Sequence, residues 1–176
     1  MFTEKTCRLW LNTNFKACNG TVQLQHLAYH LIEHAQKISQ AVLELGNRSK
    51  TMVVLSGGVH NGLQAEAVRD KVMLPLLSNM TSLNLTWPKL LWAGIHQWGL
   101  LKNDRVYRTQ SVARVKNFNK QMETFLGQFG VPFFDTFNLT GSVMSFDGTH
   151  FGLGVNKVKA LIFLNYLLEL QSKGQW

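Results

Sequence analysis

Three short apolar runs, each leading into a glycine turn or a polar loop, constrain the fold of this chain most strongly. The runs are Thr51–Leu55 (TMVVL), Lys89–Gly94 (KLLWAG) and Val131–Asp135 (VPFFD). A short, continuously apolar run, rather than an alternating one, is typical of a strand that is buried on both faces. The sequence therefore predicts three buried β-strands.

Helical patterns separate and flank these strands, because apolar residues recur there at three- and four-residue steps. The predicted helices are Val22–Leu45, Leu63–Leu77, Gln110–Phe129 and Gly154–Leu170. Pro75 is expected to distort or end the second of them. Strands that alternate with helices of this length favour βαβ units. The predicted fold class is α/β, with three layers and a mostly parallel sheet, and its chemistry is expected at the C-terminal ends of the strands.

Composition narrows the class of protein further. The chain has 176 residues, of which 45% are hydrophobic and 16% charged, so it can bury a sizeable core. No repeat, low-complexity tract or linker divides it, and we expect a single domain over residues 1–176. Its longest apolar stretches fall well short of the roughly 20 residues that span a bilayer. No motif predicts a cofactor.

The chain is basic, with 18 Lys plus Arg against 10 Asp plus Glu and a net charge of +8. Its densest basic segment contains Arg105, Arg108, Arg114, Lys116 and Lys120, with Tyr107 nearby. These charges fall on a loop and then on the outer face of a predicted amphipathic helix, where charge is normally solvated. We expect no nucleic-acid partner, and an anionic glycan fits the basicity at least as well. A nucleic-acid-binding module is kept as the weaker alternative.

Two further groups of residues bear on metal and disulfide chemistry. Cys7 and Cys18 form either a single bridge across a short loop or two plain thiols, and no CxxC pair indicates structural zinc. His26, His30 and His34 are spaced four residues apart, a spacing that can bind zinc on a helix. They lie on the far side of the apolar face, so a solvated polar surface and no metal site is the prediction.

Five N-glycosylation sequons are present, whereas the chain's 13 Asn and 21 Ser plus Thr give roughly 1.5 by chance. The acceptor residues are Asn19, Asn47, Asn79, Asn84 and Asn138. This excess predicts a glycoprotein that folds in the lumen of the endoplasmic reticulum or Golgi, or is secreted. The N-terminus does not resemble a signal peptide, so this localisation is expected if the chain is part of a longer precursor or a shortened isoform.

Polar residues that suit catalysis follow each of the three strands. His60 and Asn61 come after the first strand, His96 after the second, and Asp147 and His150 after the third and a short loop. The i, i+3 spacing of Asp147 and His150 around a glycine allows a tight turn to bring the carboxylate to the imidazole. Such a carboxylate fixes the imidazole tautomer and leaves the second nitrogen as a general base. The alternative is an ordinary loop in which the Asp caps the last helix.

The residues around this pair carry a family resemblance. The segment Ser145–Gly152 (SFDGTHFG), followed by a helix containing Leu164–Leu167 (LNYL), resembles the last conserved block of the SGNH (GDSL-like) hydrolases. More narrowly, it resembles the PC-esterase branch, including the cadherin-like and PC-esterase domain-containing proteins. The segment TMVVLSGGVHNG resembles the oxyanion block of that branch, and Trp87–His96 resembles its next strand. The resemblance extends over about Met52–Leu170.

This resemblance implies an ester-cleaving site. In that family a serine in a Gly-Asp-Ser segment attacks an ester carbonyl, the Asp-x-x-His pair activates it, and a Gly and an Asn donate hydrogen bonds to the oxyanion. Asp147 would then be the orienting acid, His150 the base and Gly58 the backbone donor. The family's Gly-x-Asn-Asp pattern differs here: His60 occupies the Asn position and Asn61 comes one residue later. The second oxyanion donor is therefore left open.

The nucleophile block of the family is missing, since residues 1–50 contain no Gly-Asp-Ser and Ser56 belongs to the oxyanion block. The expected function is the C-terminal part of an SGNH/PC-esterase-type acyl esterase or O-acyltransferase domain acting on luminal glycan or glycoprotein esters, inactive alone. The alternative is a non-catalytic truncated isoform or pseudoenzyme that binds a glycan or a protein. Loss of the nucleophile strand would expose one edge of the strand Thr51–Leu55. Either Arg8–Asn12 (RLWLN) replaces that strand, or the chain self-associates.

Overall fold

The computed structural model describes residues 13–29, 31–100 and 109–175. Its strands are β1 Thr13–Ala17, β2 Val22–His26, β3 Met52–Leu55, β4 Lys89–Ala93 and β5 Phe133–Phe134. Its helices are α1 Ala35–Leu43, α2 Ala65–Val68, α3 Leu74–Ser82, α4 Val112–Gly127 and α5 Leu153–Ser172. A π-helical turn, Arg69–Met73, joins α2 to α3, and short 3₁₀ turns occupy Cys18–Gly20 and Phe137–Leu139.

The central sheet has the order β3-β4-β5 in the described part of the chain, and both pairings are parallel. Helices α2 and α3 lie on the connection from β3 to β4, and α4 lies on the connection from β4 to β5. Parallel neighbours require such crossover connections, because a tight turn cannot bring the chain back to the same end of the sheet. The predicted α/β class with a parallel sheet is confirmed.

Helices cover both faces of this sheet. One face packs on a large core to which α1, α3 and α4 contribute Ile38, Leu76 and Phe118, and β4 contributes the fully buried Trp92. The other face carries a smaller cluster in which α5 packs on β4 and β5. Its buried members are Leu91, Phe134 and Leu170. The three layers are therefore helices, sheet and a single helix.

The predicted helix Val22–Leu45 is wrong over its first part. Residues Val22–His26 form β2, which pairs antiparallel with β1 through five residue pairs, and only Ala35–Leu43 is helical. Cys18, Asn19 and Gly20 all have positive φ in the turn between the strands, a conformation that the Asn-Gly pair favours. The sequence VQLQH alternates apolar and polar residues, and this period of two is typical of the strand that the structure shows.

The predicted helix Leu63–Leu77 begins two residues later, at Ala65, and continues to Ser82. Pro75 distorts it as expected but does not end it. A proline lacks an N–H and clashes with the carbonyl four residues before it, here that of Lys71. Lys71 lies inside the π-helical turn Arg69–Met73, so the irregular turn falls where the proline disturbs the hydrogen-bond pattern.

The remaining elements agree with the prediction except in length and in the burial of β3. That strand was predicted to be buried, but its residues are only partly buried and Val54 is exposed. The two strands predicted first and the two helices predicted last are present as β3, β4, α4 and α5. The strand predicted over Val131–Asp135 is reduced to Phe133–Phe134, next to Pro132, which has no N–H to donate. Within the described ranges, no helix is long and apolar enough to cross a membrane.

Several predictions fall outside the described residues. Cys7, His30, the segment Arg8–Asn12, and the basic residues Arg105 and Arg108 belong to this group. A Cys7–Cys18 bridge and a substitute strand from Arg8–Asn12 therefore stay predictions. Cys18 itself is exposed at the hairpin turn.

Candidate active site

A tight turn between the end of the sheet and α5 carries Asp147 and His150. The Nδ1 atom of His150 lies 2.7 Å from Oδ2 of Asp147. The other carboxylate oxygen, Oδ1, accepts the backbone N–H groups of Thr149 and His150, each at 2.8 Å. Gly148 has φ +79°, a left-handed conformation that glycine adopts without strain and that closes the turn. The contact expected from the i, i+3 spacing is present.

The protonation state of this pair follows from its hydrogen bonds. Partial burial acts to raise the pKa of the Asp147 carboxyl. Hydrogen bonds from the backbone and ring of His150 and from the Thr149 N–H outweigh this effect, and the pKa falls to about 2. The carboxylate is therefore ionised at neutral pH and only accepts, so Nδ1 of His150 carries the proton. Nε2 is then the nitrogen with a free lone pair, as a general base requires. The His150 and Asp147 side chains are 61% and 54% exposed, which leaves the pair accessible.

The loop after β4 supports this turn at two points. The Gly99 N–H donates to the Gly148 carbonyl at 2.9 Å, and Nε2 of His96 lies 3.0 Å from the Thr149 carbonyl oxygen. Because a carbonyl only accepts, Nε2 of His96 carries the proton and its Nδ1 is an acceptor. Nζ of Lys159 lies 3.2 Å from that Nδ1. His96 thus links α5 to the turn that holds Asp147 and His150.

The loop after β3 depends on close packing at Gly58. This residue has φ +112°, and a Cβ atom there would lie 2.4 Å from Cζ of Phe118 in α4. Its carbonyl accepts the N–H groups of Asn61 at 3.1 Å and Leu63 at 2.9 Å, which tightens the turn that carries His60. Only glycine suits this position, because of its positive φ and the nearby Phe118 ring.

Two adjoining cavities open at these strand ends. One, of about 260 Å³, is lined by residues that include Gly58, His60 and Asn61. The other, of about 220 Å³, is lined by residues that include His96 and Thr149, and Ser56 and Gly57 line both. The structure thus brings the predicted Gly58, His60 and Asn61 together and places His96 beside the turn of the acid–base pair. Asp147 and His150 themselves do not line either cavity.

Sequence reasoning missed two residues that organise the site. Asn119 lies on the buried face of α4, where its Oδ1 accepts the Ile95 N–H at 2.9 Å and its Nδ2 donates to the Ile95 carbonyl at 2.7 Å. This pair of bonds fixes the backbone next to His96. A polar residue on the apolar face of a helix was the available signal. Lys159, the second, gave no comparable signal in the sequence.

The prediction that His26, His30 and His34 share one helical stripe is wrong for His26. His26 lies in β2, whereas His34 precedes α1, so these two residues do not share a helix. Among the residues that the structure describes, no group of three or more His, Cys, Asp or Glu side chains is arranged to hold a metal ion.

All five sequon asparagines are exposed, as N-glycosylation requires. Asn19 lies in the hairpin turn and Asn79 on α3, with Asn84 just after that helix. The Asn47 side chain also has a structural contact, because its Oδ1 accepts the Thr86 N–H at 2.9 Å. Glycosylation at these positions stays a prediction.

The comparison with solved structures bears on the fold. The native aryl esterase of M. smegmatis superimposes with a TM-score of 0.52 at 16% sequence identity, over 77% of this chain and 67% of the esterase. Neither a protein-family model nor a curated protein matches the sequence. The structural likeness supports the predicted three-layer α/β fold.

Proposed function

We propose that this chain provides the acid–base half of an SGNH-type ester hydrolase or acyltransferase site. The observation that carries the proposal is the Asp147–His150 turn, whose hydrogen bonds leave Nε2 of an accessible imidazole as a base. The proposal is also supported by the position of this turn, which follows β5 and contacts the loop after β4, because parallel α/β folds perform chemistry at the ends of their strands.

The chemistry follows from the direction of these bonds. Nε2 of His150 takes the proton of a serine hydroxyl while the serine oxygen attacks the ester carbonyl, and the Asp147 carboxylate stabilises the resulting imidazolium. The Gly58 N–H is assigned to the developing oxyanion. His150 then returns the proton to the leaving alcohol, and water or an acceptor hydroxyl releases the acyl group from the serine.

We assign the nucleophilic serine to a segment outside the residues that the structure describes. The sequence contains no Gly-Asp-Ser, and the resemblance to the PC-esterase branch places that block on a strand next to β3. Across the described residues β3 pairs with β4 alone, so one edge of β3 is available for such a strand. The chain alone is accordingly inactive in this proposal.

The proposed substrates are acyl esters of a luminal glycan or glycoprotein. The net charge of +8 favours an anionic glycan, and the five exposed sequons favour folding in the secretory pathway. Expression behind a signal peptide should add glycans to at least two sequons, Asn79 and Asn84 first, and PNGase F should remove that added mass. A single unglycosylated mass would contradict the luminal assignment.

The second candidate is a non-catalytic module that binds a glycan or a protein. It is favoured by the missing nucleophile and by the position of His150 and Asp147 outside both cavities. A glycan array and ester turnover separate the two candidates, because only the first requires Asp147 and His150.

The test of the main proposal restores the missing part. An SGNH-hydrolase nucleophile strand carrying Gly-Asp-Ser is fused ahead of residue 13, and acetyl-ester hydrolysis is measured together with thermal melting. We expect turnover that falls at least about a hundredfold in His150→Ala, which removes the base. His34→Ala, before α1, is the control and should keep the turnover. A cooperatively folded fusion whose turnover does not depend on His150 would contradict the proposal.

A further inference from the structure

The 220 Å³ cavity beside the Asp147–His150 turn combines apolar walls with one amino group. Its apolar lining includes Val59, Ile95, Trp98 and Phe134. Lys159 from α5 also lines it, on the side of His96 and Thr149. Small-molecule sites commonly have this composition, in which a few polar groups orient a ligand within an apolar enclosure.

In the part of the chain that the structure describes, the hydrogen-bond partner of Lys159 is uncharged, so no opposite charge neutralises its ammonium group. Its Nζ donates to Nδ1 of His96, and the second nitrogen of His96 donates to the Thr149 carbonyl, so this imidazole is neutral. The ion pairs within the described ranges are Arg69–Asp70, His150–Asp147 and Lys173–Glu169, none of which includes Lys159. Burial also lowers the pKa of the Lys159 ammonium.

The other lysines of this C-terminal region differ from Lys159 in their exposure to solvent. Lys157, two residues away on α5, is exposed to solvent, and Lys173 is exposed and pairs with Glu169. Lys159 is the one of the three that is partly buried. A bound anion stabilises a partly desolvated ammonium more than an exposed one, because the opposite charge offsets the free-energy cost of burying the ammonium.

We propose that this cavity, the Lys159 cavity, binds a small organic carboxylate whose charged group pairs with Lys159 and whose apolar body lies against Trp98 and Phe134. A carboxylate fits better than a phosphate, because one ammonium balances one negative charge. Phosphate sites usually supply several donors from Arg side chains or backbone N–H groups. The volume equals that of roughly seven liquid water molecules, so the ligand is a short-chain or single-ring acid.

The cavity's position links this ligand to the reaction. Thr149 lines the cavity and lies between Asp147 and His150 in the same turn. Ester cleavage releases a carboxylate, and the assignment of that released acid to the Lys159 cavity rests on the proposed function. Carboxylate binding itself needs no turnover, so a free acid from another source would bind in the same way.

The test uses the whole chain and titrates it with butyrate, with benzoate and with the neutral isostere butyramide. The readout is the ¹H–¹⁵N signal of the Trp98 indole, which lies in the cavity wall. We expect a saturable shift with at least one of the two carboxylates and none with butyramide. This comparison needs no substitution, so it does not depend on how any variant folds.

Two variants assign the effect to one residue. Lys159→Met removes the charge at nearly constant length and should weaken carboxylate binding at least tenfold, whereas Lys157→Met should leave it unchanged. Equal binding to both variants, equal binding of butyramide, a saturable shift only with inorganic phosphate, or no saturable shift at all would overturn the proposal. His150→Ala should still bind the carboxylate. If the Gly-Asp-Ser fusion kept its ester turnover in His150→Ala while carboxylate binding stayed intact, the proposed function alone would be contradicted.

Discussion

The two faces of the sheet are covered to different extents. On the face packed by α1 to α4, large side chains such as Trp92 and Phe118 are almost entirely buried. On the other face α5 packs on β4 and β5, while Val54 of β3 remains 45% exposed. The outer side of α5 is apolar as well, and Leu161, Leu164 and Leu168 are 56–62% exposed. Several large apolar side chains exposed along one helix are unusual for a covered surface, so the α5 face is the less covered of the two.

The difference between the two faces bears on the proposed site. The covered face positions Asn119, which fixes the loop that supports the Asp147–His150 turn. The less covered face includes β3, which pairs with β4 alone among the described residues, and the resemblance to SGNH hydrolases implies the nucleophile strand at the other edge of β3. In the proposal, this chain therefore supplies the base at His150, and the nucleophile would come from a segment next to β3.

The largest effect is expected from truncation in the covered core. Phe118→Ala should lower the free energy of unfolding by about 3–5 kcal/mol, because it removes a buried ring and leaves a cavity. The matched change on the open face, Leu161→Ala, should cost less than about 0.5 kcal/mol, since that side chain is already exposed. Urea unfolding of both variants makes the comparison. Equal losses of unfolding free energy in the two variants would mean that the two faces are equally well packed.

A smaller effect is expected at the glycine turn after β3. Gly58→Ala should destabilise the fold by about 1–3 kcal/mol, because the new Cβ meets the Phe118 ring at a positive φ. Gly127→Ala at the end of α4 is the control, since a Cβ there meets no atom within 4 Å. That change should be neutral or stabilising by up to about 1 kcal/mol. A Gly58→Ala protein as stable as the wild type would show that the loop is not held as described.

The exposed leucines of α5 should promote self-association, as expected for an uncovered apolar face. Replacing Leu161, Leu164 and Leu168 together by Gln should raise the dissociation constant for self-association at least tenfold, about 1.4 kcal/mol. Sedimentation velocity over a concentration series provides the measurement. Lys116, Lys120 and Glu123 replaced together by Gln on the outer side of α4 is the control. A wild-type chain that stays monomeric throughout the series would contradict this prediction.

The smallest expected effect is the dependence of stability on pH at Asp147. Its pKa of about 2 in the folded chain lies below the ordinary value of 3.8, so its contribution is fully present above about pH 4. That contribution is lost as the pH falls from about 4 to 2. The side chain is half exposed, and solvent screening limits the contribution to about 1 kcal/mol or less. Asp147→Asn should remove this part of the pH dependence of unfolding, and an unchanged profile would argue against the hydrogen-bonded carboxylate.

The sequence predicted those strands and turns that are determined by the pattern of neighbouring residues. Continuous apolar runs predicted the strands β3 and β4, although only β4 is buried. The i, i+3 spacing around Gly148 predicted the contact between Asp147 and His150. The hairpin was missed because VQLQH fits both a helical and an alternating pattern, and the pairing with β1 decides between them. Lys159 was missed because its burial depends on the packing of α5 against the loop after β4, which no local pattern encodes.

Acetyl-ester turnover by the unfused chain tests the central claim most directly. We expect the purified wild-type chain to hydrolyse a chromogenic acetyl ester no faster than a Ser56→Ala variant at the same concentration, because the base at His150 has no serine to activate. Turnover well above buffer in the wild type that Ser56→Ala abolishes would contradict the account. It would show that the serine at the end of β3 is a nucleophile and that the chain's active site is complete.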